Sequence, residues 1–351
     1  MLLTFYLFSG NTICSLGITF LQDGKEYSFD IQYDTEKKIY VYEKFSEILK
    51  DKYGNETVEI WLEKDILNKR YYSKDENILE TIPRILATNI LINGIDTSDL
   101  TYLGKMKNIL IGFASKIDII NMNNIPMENT IKLMKNKNNM SKKVVNFIKD
   151  SDLYMDNFEY VDMENVQIPS DFKNEQIDEN VLHSKETLME QVRLVSTYKG
   201  VKVPSLLFDS TGTKKIAALA SYIIEALEEG RILIIDELDS SIHFTLTRSI
   251  VAMFNNGLNT KAQMIFTVHD INLMDCMRLF RKEQIWFVHK DNKGVYVYSL
   301  ADFTSRDGIR DTTDIIDKYR KGFLGAIPEP ELINSLIDIA GNKAKETPDE
   351  E

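Results

Sequence analysis

At 351 residues, 43% of them hydrophobic, the chain can bury a full core, either as one large domain with an insertion or as two domains. Its net charge of −12 at pH 7 disfavours a generally basic nucleic-acid clamp and leaves room only for a local basic patch. Two cysteines, Cys14 and Cys276, lack metal-ligand spacing and are too few for a disulfide framework, which places the protein in a reducing, cytoplasmic setting, and no apolar run approaches the about 18 residues that cross a bilayer.

The opening MLLTFYLFSGNTICS is apolar but lacks the basic start and small-residue cleavage site of a secretory leader. Up to residue 63 the chain reads as antiparallel β. LGITFLQDGKEYSFDIQYD places an Asp23-Gly24 turn between alternating segments, a strong hairpin signal. IYVYEKF and ETVEIWLEK add strands, with Trp61 as a core anchor.

From 76 to 150 the spacing turns helical, in ILETIPRILATNILING and MKNILIGFASKIDIINM. Lys132, Lys135, Lys137, Lys142 and Lys143 form the basic cluster of note. With no aromatic residues interleaved to stack on bases, it reads first as a solvated helix face and turn rather than a nucleic-acid contact. Residues 151–184 are acidic, with DLYMDNFEYVDMENVQIP as an edge strand and a loop. QVRLVSTYKGVKVPSLLF then gives two strands joined at Lys199-Gly200.

The stretch 208–243, FDSTGTKKIAALASYIIEALEEGRILIIDELDSSIH, organises the rest. Ser210-Thr211-Gly212-Thr213 is a polar turn ahead of Ile216, Leu219, Ala220, Ile223, Ile224 and Leu227, spaced for one helix face. Such a turn is either an ordinary hydroxyl cap or an anion-holding helix start. Ile232 to Ile235 form a short buried strand that ends at once in Asp236 and Glu237. Charges there are costly unless they have a partner or a task. A helix to about Gly257 and a second strand, MIFTVHD, complete a parallel crossover unit. The crossover puts His269 beside Asp236 on one sheet edge, where open parallel sheets bind ligands. Beyond it, EQIWFVHKDNKGVYVYSL reads as a hairpin turning at Asn292-Lys293-Gly294, 312–335 as helix and loop, and KAKETPDEE as a charged, disordered tail.

The succession STGTKK, helix, ILIIDELDSS, helix, IFTVHD resembles the C-terminal half of the ABC-type ATPase heads of SMC, RecF and RecN proteins. Within that class it is most similar to stand-alone prokaryotic AAA-domain ATPases associated with abortive infection and phage defence. The likeness is good over about 185–330 and faint before it. It implies ATP and Mg²⁺ as cofactors. Ser210, Gly212 and Thr213 match the signature motif, Asp236 and Glu237 match Walker B, Asp239 the D-loop and His269 the switch histidine. Asp236 is then the metal residue, Glu237 and His269 the catalytic ones, and Ser210, Gly212, Thr213 and Asp239 nucleotide-binding. In such heads the signature helix caps the nucleotide of the facing protomer, which implies a homodimer or a head-to-head partner. A nuclease or other effector would be a separate protein, since too little chain follows His269 for a Toprim domain.

No G-x-x-x-x-G-K-[ST] phosphate loop occurs in the sequence; Gly17 with Gly24 and Lys25 fails on spacing and falls in a hairpin. The expected fold is therefore an α/β, P-loop NTPase ABC-type head, a mixed sheet with an antiparallel flank and a helical insertion, N-terminally incomplete. Its expected parts are 1–75, a β-rich lobe remnant; 76–184, insertion and acidic connector; 185–335, the ATPase lobe; and 336–351, the tail. Two functions stay open. One is an ATP-hydrolysing head of a defence or DNA-maintenance system, completed by a segment outside this sequence. The other is a regulatory dimerisation module that holds no ATP of its own.

Overall fold

The computed structural model describes residues 12–76, 79–80, 82, 87–90, 101–151, 153–161, 188–274, 279–291, 294–310, 313–327 and 332–345. The expectations for the opening segment, for most of the helical stretch 78–94, for the connector 162–187, for Asn292-Lys293 and for residues 346–351 fall outside them. The chain divides into two compact units, Met1–Ile271 and Asn272–Glu351.

The first unit begins with a five-stranded antiparallel sheet in sequence order, β1 (Ile13–Gln22), β2 (Lys25–Asp34), β3 (Ile39–Lys50), β4 (Glu56–Asp65) and β5 (Arg70–Ser73). Asp23 and Gly24 both take positive φ, 53° and 77°, which matches the right-handed strand twist and closes the first hairpin in two residues. The register shifts between Phe45 and Ser46, opposite Leu62 and Ile60. Trp61 is thereby the extra residue of a bulge, and it joins Phe20, Tyr27, Phe45 and Leu62 in a core closed by Leu103 and Met106 of α1 (Tyr102–Ala114). Helix α1 starts there because Thr101 Oγ1 accepts the Gly104 amide at 2.9 Å and the Asp75 carboxylate accepts the amides of Tyr102 and Leu103. Within the same sheet Lys64 Nζ meets Glu43 Oε1 at 3.0 Å, and both side chains are only 1% exposed. A charge so deeply buried persists only because its partner is there.

After α1 comes β6 (Ile117–Asn121), then α2 (Glu128–Asn136), α3 (Asn139–Asp150) and β7 (Asn157–Tyr160). Residues 117–121, read from sequence as a continuation of the helical pattern, are therefore a strand. β8 (Leu194–Tyr198) and β9 (Val201–Pro204) follow, paired antiparallel around Lys199-Gly200, with β7 on the outer side of β8. A short helix α4 (Ser205–Phe208) leads into α5 (Thr211–Glu229). Helix α5 is capped by Ser210 and ended by Gly230 at φ 73°, the left-handed stop that glycine takes without strain. Ala217 and Ala220 let α2 and α3 approach closely, in a cluster with Ile131, Leu133, Val144 and Ile148. Thr130 Oγ1 fills its hydrogen-bonding capacity there against Ser221 Oγ and the carbonyls of Ala217 and Ala218.

Strand β10 (Ile232–Asp236), α6 (Phe244–Phe254) and β11 (Gln263–Phe266) complete the unit. β10 is the centre of a parallel sheet with order β11-β10-β6. The strands enter it in the order β6, β10, β11, stepping always the same way. Right-handed crossovers that all step one way put their helices on one face. That face carries Ile120, Leu233 and Ile235, all buried. On the other face Ile119, Ile234 and Ile265 form one cross-strand row, with Ile119 77% and Ile265 60% exposed. Parallel sheets ordinarily have both faces covered.

In the second unit β12 (Trp286–Asp291) and β13 (Gly294–Ser299) pair antiparallel, followed by α7 (Ile315–Arg320) and α8 (Leu332–Lys345). Ile285, Phe287, Leu300, Ile309, Ile315 and Leu324 form its core.

Candidate functional site

The parallel sheet places its strand ends together. Asp236 is the register partner of Asn121, and the ladder continues past β11 because the Thr267 amide donates to the Ile235 carbonyl at 3.0 Å. Asn121, Asp236 and Thr267 therefore form the next row on the face of Ile119, Ile234 and Ile265. Both carboxylate oxygens of Asp236 are engaged: Oδ1 accepts from Thr267 Oγ1 at 2.7 Å and Oδ2 from Asn121 Nδ2 at 3.3 Å.

Glu237 follows with φ 56°, left-handed backbone that a non-glycine residue adopts at a cost of order 1–3 kcal/mol. Its conformation is held from two sides. Its amide donates to Thr267 Oγ1 at 2.8 Å, and its Oε2 accepts from Asn123 Nδ2 at 2.8 Å. One threonine hydroxyl thus fixes both the side chain of Asp236 and the backbone of Glu237.

Asp239 ties the loop after β10 to the loop after β11: its Oδ2 accepts the amides of His269 at 3.0 Å and Asp270 at 2.9 Å. That bond brings His269 to the edge occupied by Asp236 and Glu237. Ser210, Gly212 and Thr213 belong to the start of α5, where Ser210 Oγ accepts the Thr213 amide at 3.1 Å and lies 2.8 Å from Thr213 Oγ1. A Cβ on Gly212 would sit 2.7 Å from the Ser241 carbonyl oxygen, so glycine is required by the close passage of the loop after β10. Lys215, one turn on, donates to the Ser240 carbonyl at 3.1 Å, to Ser240 Oγ at 3.1 Å and to Ser241 Oγ at 3.3 Å. Immediately before the turn, buried Asp209 accepts from Ser196, Ser205 and Tyr198, at 2.6, 2.6 and 2.8 Å. Burial and that carboxylate push the Tyr198 phenol up to about 12.

Asn121, Asn123, Thr267, Lys215 and Ser240 are the participants that the sequence did not single out. The first two follow IDII, in which Asp118 interrupts the kind of aliphatic run that stands out at Ile232 to Ile235. Of the lysine cluster, Lys135 pairs with Glu190 and Lys143 with Glu228, carboxylates of the same chain.

The residues suit a magnesium–nucleotide group. Mg²⁺ in nucleotide sites takes one or two carboxylates and completes its shell with water and phosphate oxygens. Asp236 and Glu237, flanked by amide and hydroxyl groups, supply that kind of set. Among the described residues no three His, Cys, Asp or Glu side chains gather into an all-protein metal cage. No helix among them is long and apolar enough to cross a membrane.

Residues 123–275 match a family model described as "AAA domain, putative AbiEii toxin, Type IV TA system". This is the kind of domain that STGTKK, ILIIDELDSS and IFTVHD resemble, and at this level the segment is an AAA-type, ATPase-like domain. No curated protein matches the chain. Among solved structures the chain is similar to an SMC head domain from Thermotoga maritima, at 12% identity and TM-score 0.31, over 79% of this chain and 74% of that one. It is also similar to an SMC head bound to the C-terminal winged-helix domain of ScpA, at 12% identity and TM-score 0.44, over 85% and 76%. The fold class is α/β; among the described residues one sheet is parallel, and the antiparallel strands form separate sheets rather than the flank of a single mixed sheet.

Proposed function

We propose that this chain carries the hydrolytic carboxylates and the signature turn of an ABC-type ATPase head, working in a prokaryotic defence or DNA-maintenance system. The observation that supports it most is the row Asn121–Asp236–Thr267 at the carboxyl end of a parallel sheet, with Glu237 held beside it in strained backbone. In this reading Asp236 would help to hold Mg²⁺, and Glu237 would orient the attacking water and take its proton. His269 donates to the γ-phosphate, kept at the edge by the Asp239 bond to its amide. Ser210, Gly212 and Thr213 cap the nucleotide of a facing head, so hydrolysis requires a head-to-head pair. Mg²⁺, when bound with ATP, neutralises the charge that phosphoryl transfer spreads over the phosphate oxygens.

The phosphate cradle belongs, in the same proposal, to a strand–loop–helix segment outside these 351 residues. The row of exposed Ile119, half-buried Ile234 and exposed Ile265 supports this, because a helix laid on it would cover the sheet's second face beside Asp236. ATP titrated calorimetrically into the 351-residue chain with Mg²⁺ is expected to bind weakly or not at all. With a segment bearing G-x-x-x-x-G-K-[ST] supplied, in cis or in trans, binding and Mg²⁺-dependent hydrolysis are expected, both weakened by Asp236→Asn. Micromolar binding by the chain alone would place the phosphates on other residues.

A further inference from the structure

We infer that Lys215 is a positioning residue for Glu237, acting through Ser240 and Asn123, and that it links the signature helix to the hydrolytic carboxylate. The link is a continuous run of hydrogen bonds. Lys215 Nζ donates to Ser240 Oγ at 3.1 Å, Ser240 Oγ donates to Asn123 Oδ1 at 3.3 Å, and Asn123 Nδ2 donates to Glu237 Oε2 at 2.8 Å.

Three properties separate this run from a chance set of surface contacts. Every bond points the same way, from an ammonium at one end to a carboxylate at the other, so each polarises the next and strengthens it. The members come from three parts of the fold: Lys215 from α5, Asn123 from the segment after β6, and Ser240 and Glu237 from the turn after β10, which the Ser240 amide closes on the Glu237 carbonyl at 2.8 Å. Lys215 is also anchored to the loop twice more, through the Ser240 carbonyl and Ser241 Oγ, while Gly212 packs against the Ser241 backbone from the same helix. A shift of the first turn of α5 therefore moves the loop, and the loop carries the hydroxyl that holds Asn123.

The consequence concerns Glu237 directly. Its backbone is strained, and Asn123 is the side chain that fixes its Oε2. An asparagine amide can rotate and present its other end. The Ser240 proton on Oδ1 is what selects the orientation in which Nδ2 faces Glu237. Lys215 in turn occupies Ser240 as a donor, which leaves the serine proton for Asn123. Without the ammonium the serine can donate back into its own loop, and Asn123 loses its preferred orientation. The inference rests on the proposed role of Glu237 for its functional meaning, but the run of bonds can be tested without any nucleotide.

The test follows the Asn123 side-chain amide by NMR in asparagine-labelled full chain, assigned by its loss in Asn123→Ser. In Lys215→Met, and independently in Ser240→Ala, the amide signal is expected to move and its hydrogen exchange to accelerate about tenfold, the equivalent of one lost hydrogen bond. Lys215→Arg keeps charge and donors and is expected to restore the wild-type signal. In the loop-completed assembly Lys215→Met is expected to lower kcat about 10- to 100-fold with the KM for ATP unchanged. An Asn123 amide unaltered in Ser240→Ala or in folded Lys215→Met overturns the inference. Should the assembly hydrolyse no ATP at all, the proposed function fails, while the NMR comparison still decides whether Lys215 orients Asn123.

Discussion

Thr267 Oγ1 donates to Asp236 Oδ1 at 2.7 Å and accepts the Glu237 amide at 2.8 Å, so one hydroxyl serves two consecutive acidic residues on the neighbouring strand. Thr267→Val keeps the shape and removes both bonds. The expected loss is about 1–3 kcal/mol of unfolding free energy in a urea titration, together with at least a tenfold fall in hydrolysis by the completed head. Thr267→Ser is expected to recover most of both. A valine variant as stable and as active as the parent would reduce the contact to coincidence.

The φ of 56° at Glu237 makes an unusual prediction for stability. Glu237→Gly should leave the protein as stable as the parent or more stable, by up to about 1 kcal/mol, because glycine takes this backbone without strain. The same change should abolish hydrolysis. Thermal denaturation settles the first half: a marked drop in Tm would mean that the side chain, through Asn123, contributes more than the backbone costs.

Gly212 is confined by the Ser241 carbonyl, 2.7 Å from where a Cβ would lie. Gly212→Ala is therefore expected to destabilise by about 1–3 kcal/mol, since backbone rather than a flexible side-chain tip must give way. Hydrogen exchange should show the effect concentrated in residues 239–243. A variant with parental stability and exchange would mean that the loop relaxes freely.

How much of this was legible before any coordinates depended on local contrast. The strands β10 and β11 stood out because aliphatic runs, Ile232 to Ile235 and Met264 to Phe266, stop abruptly at charged or polar residues. The hairpin at Asp23-Gly24 was legible because its turn chemistry permits few alternatives. β6 was not legible: Ile117 to Asn121 follows α1 after only Ser115 and Lys116, so the helical spacing of MKNILIGFA runs straight into the strand. Missing β6 concealed Asn121 and Asn123. Thr267 was invisible for another reason, since its role exists only once β11 lies in register beside β10. The bond from Lys215 to Ser240 spans two elements and likewise leaves no periodic trace. The open face of the sheet could be seen only from the strand order.

The antiparallel sheet should be acid-sensitive for a nameable reason. The Lys37 amide holds the Asp34 carboxyl below its usual range, and side-chain amides of Asn55 and Asn68 do the same for Asp51 and Asp65. Groups with depressed folded values contribute stability that is present above the unfolded carboxylate value, near 3.9, and is lost as pH falls through the lower folded values. Stability is thus expected to decline from about pH 4 downward. Replacing Asp34, Asp51 and Asp65 together by Asn should flatten that decline in urea titrations at successive pH values, and an unchanged slope would assign acid sensitivity to other carboxylates.

Single-turnover hydrolysis by Glu237→Gln decides whether Glu237 activates water for ATP hydrolysis at the end of β10. In the loop-completed head with Mg²⁺, the variant is expected to bind ATP as the parent does, to remain paired head to head for longer, and to hydrolyse at least about 100-fold more slowly, as removal of a general base requires. Hydrolysis at the parental rate would contradict the account and leave Asp236 and Glu237 as the structural end of a strand.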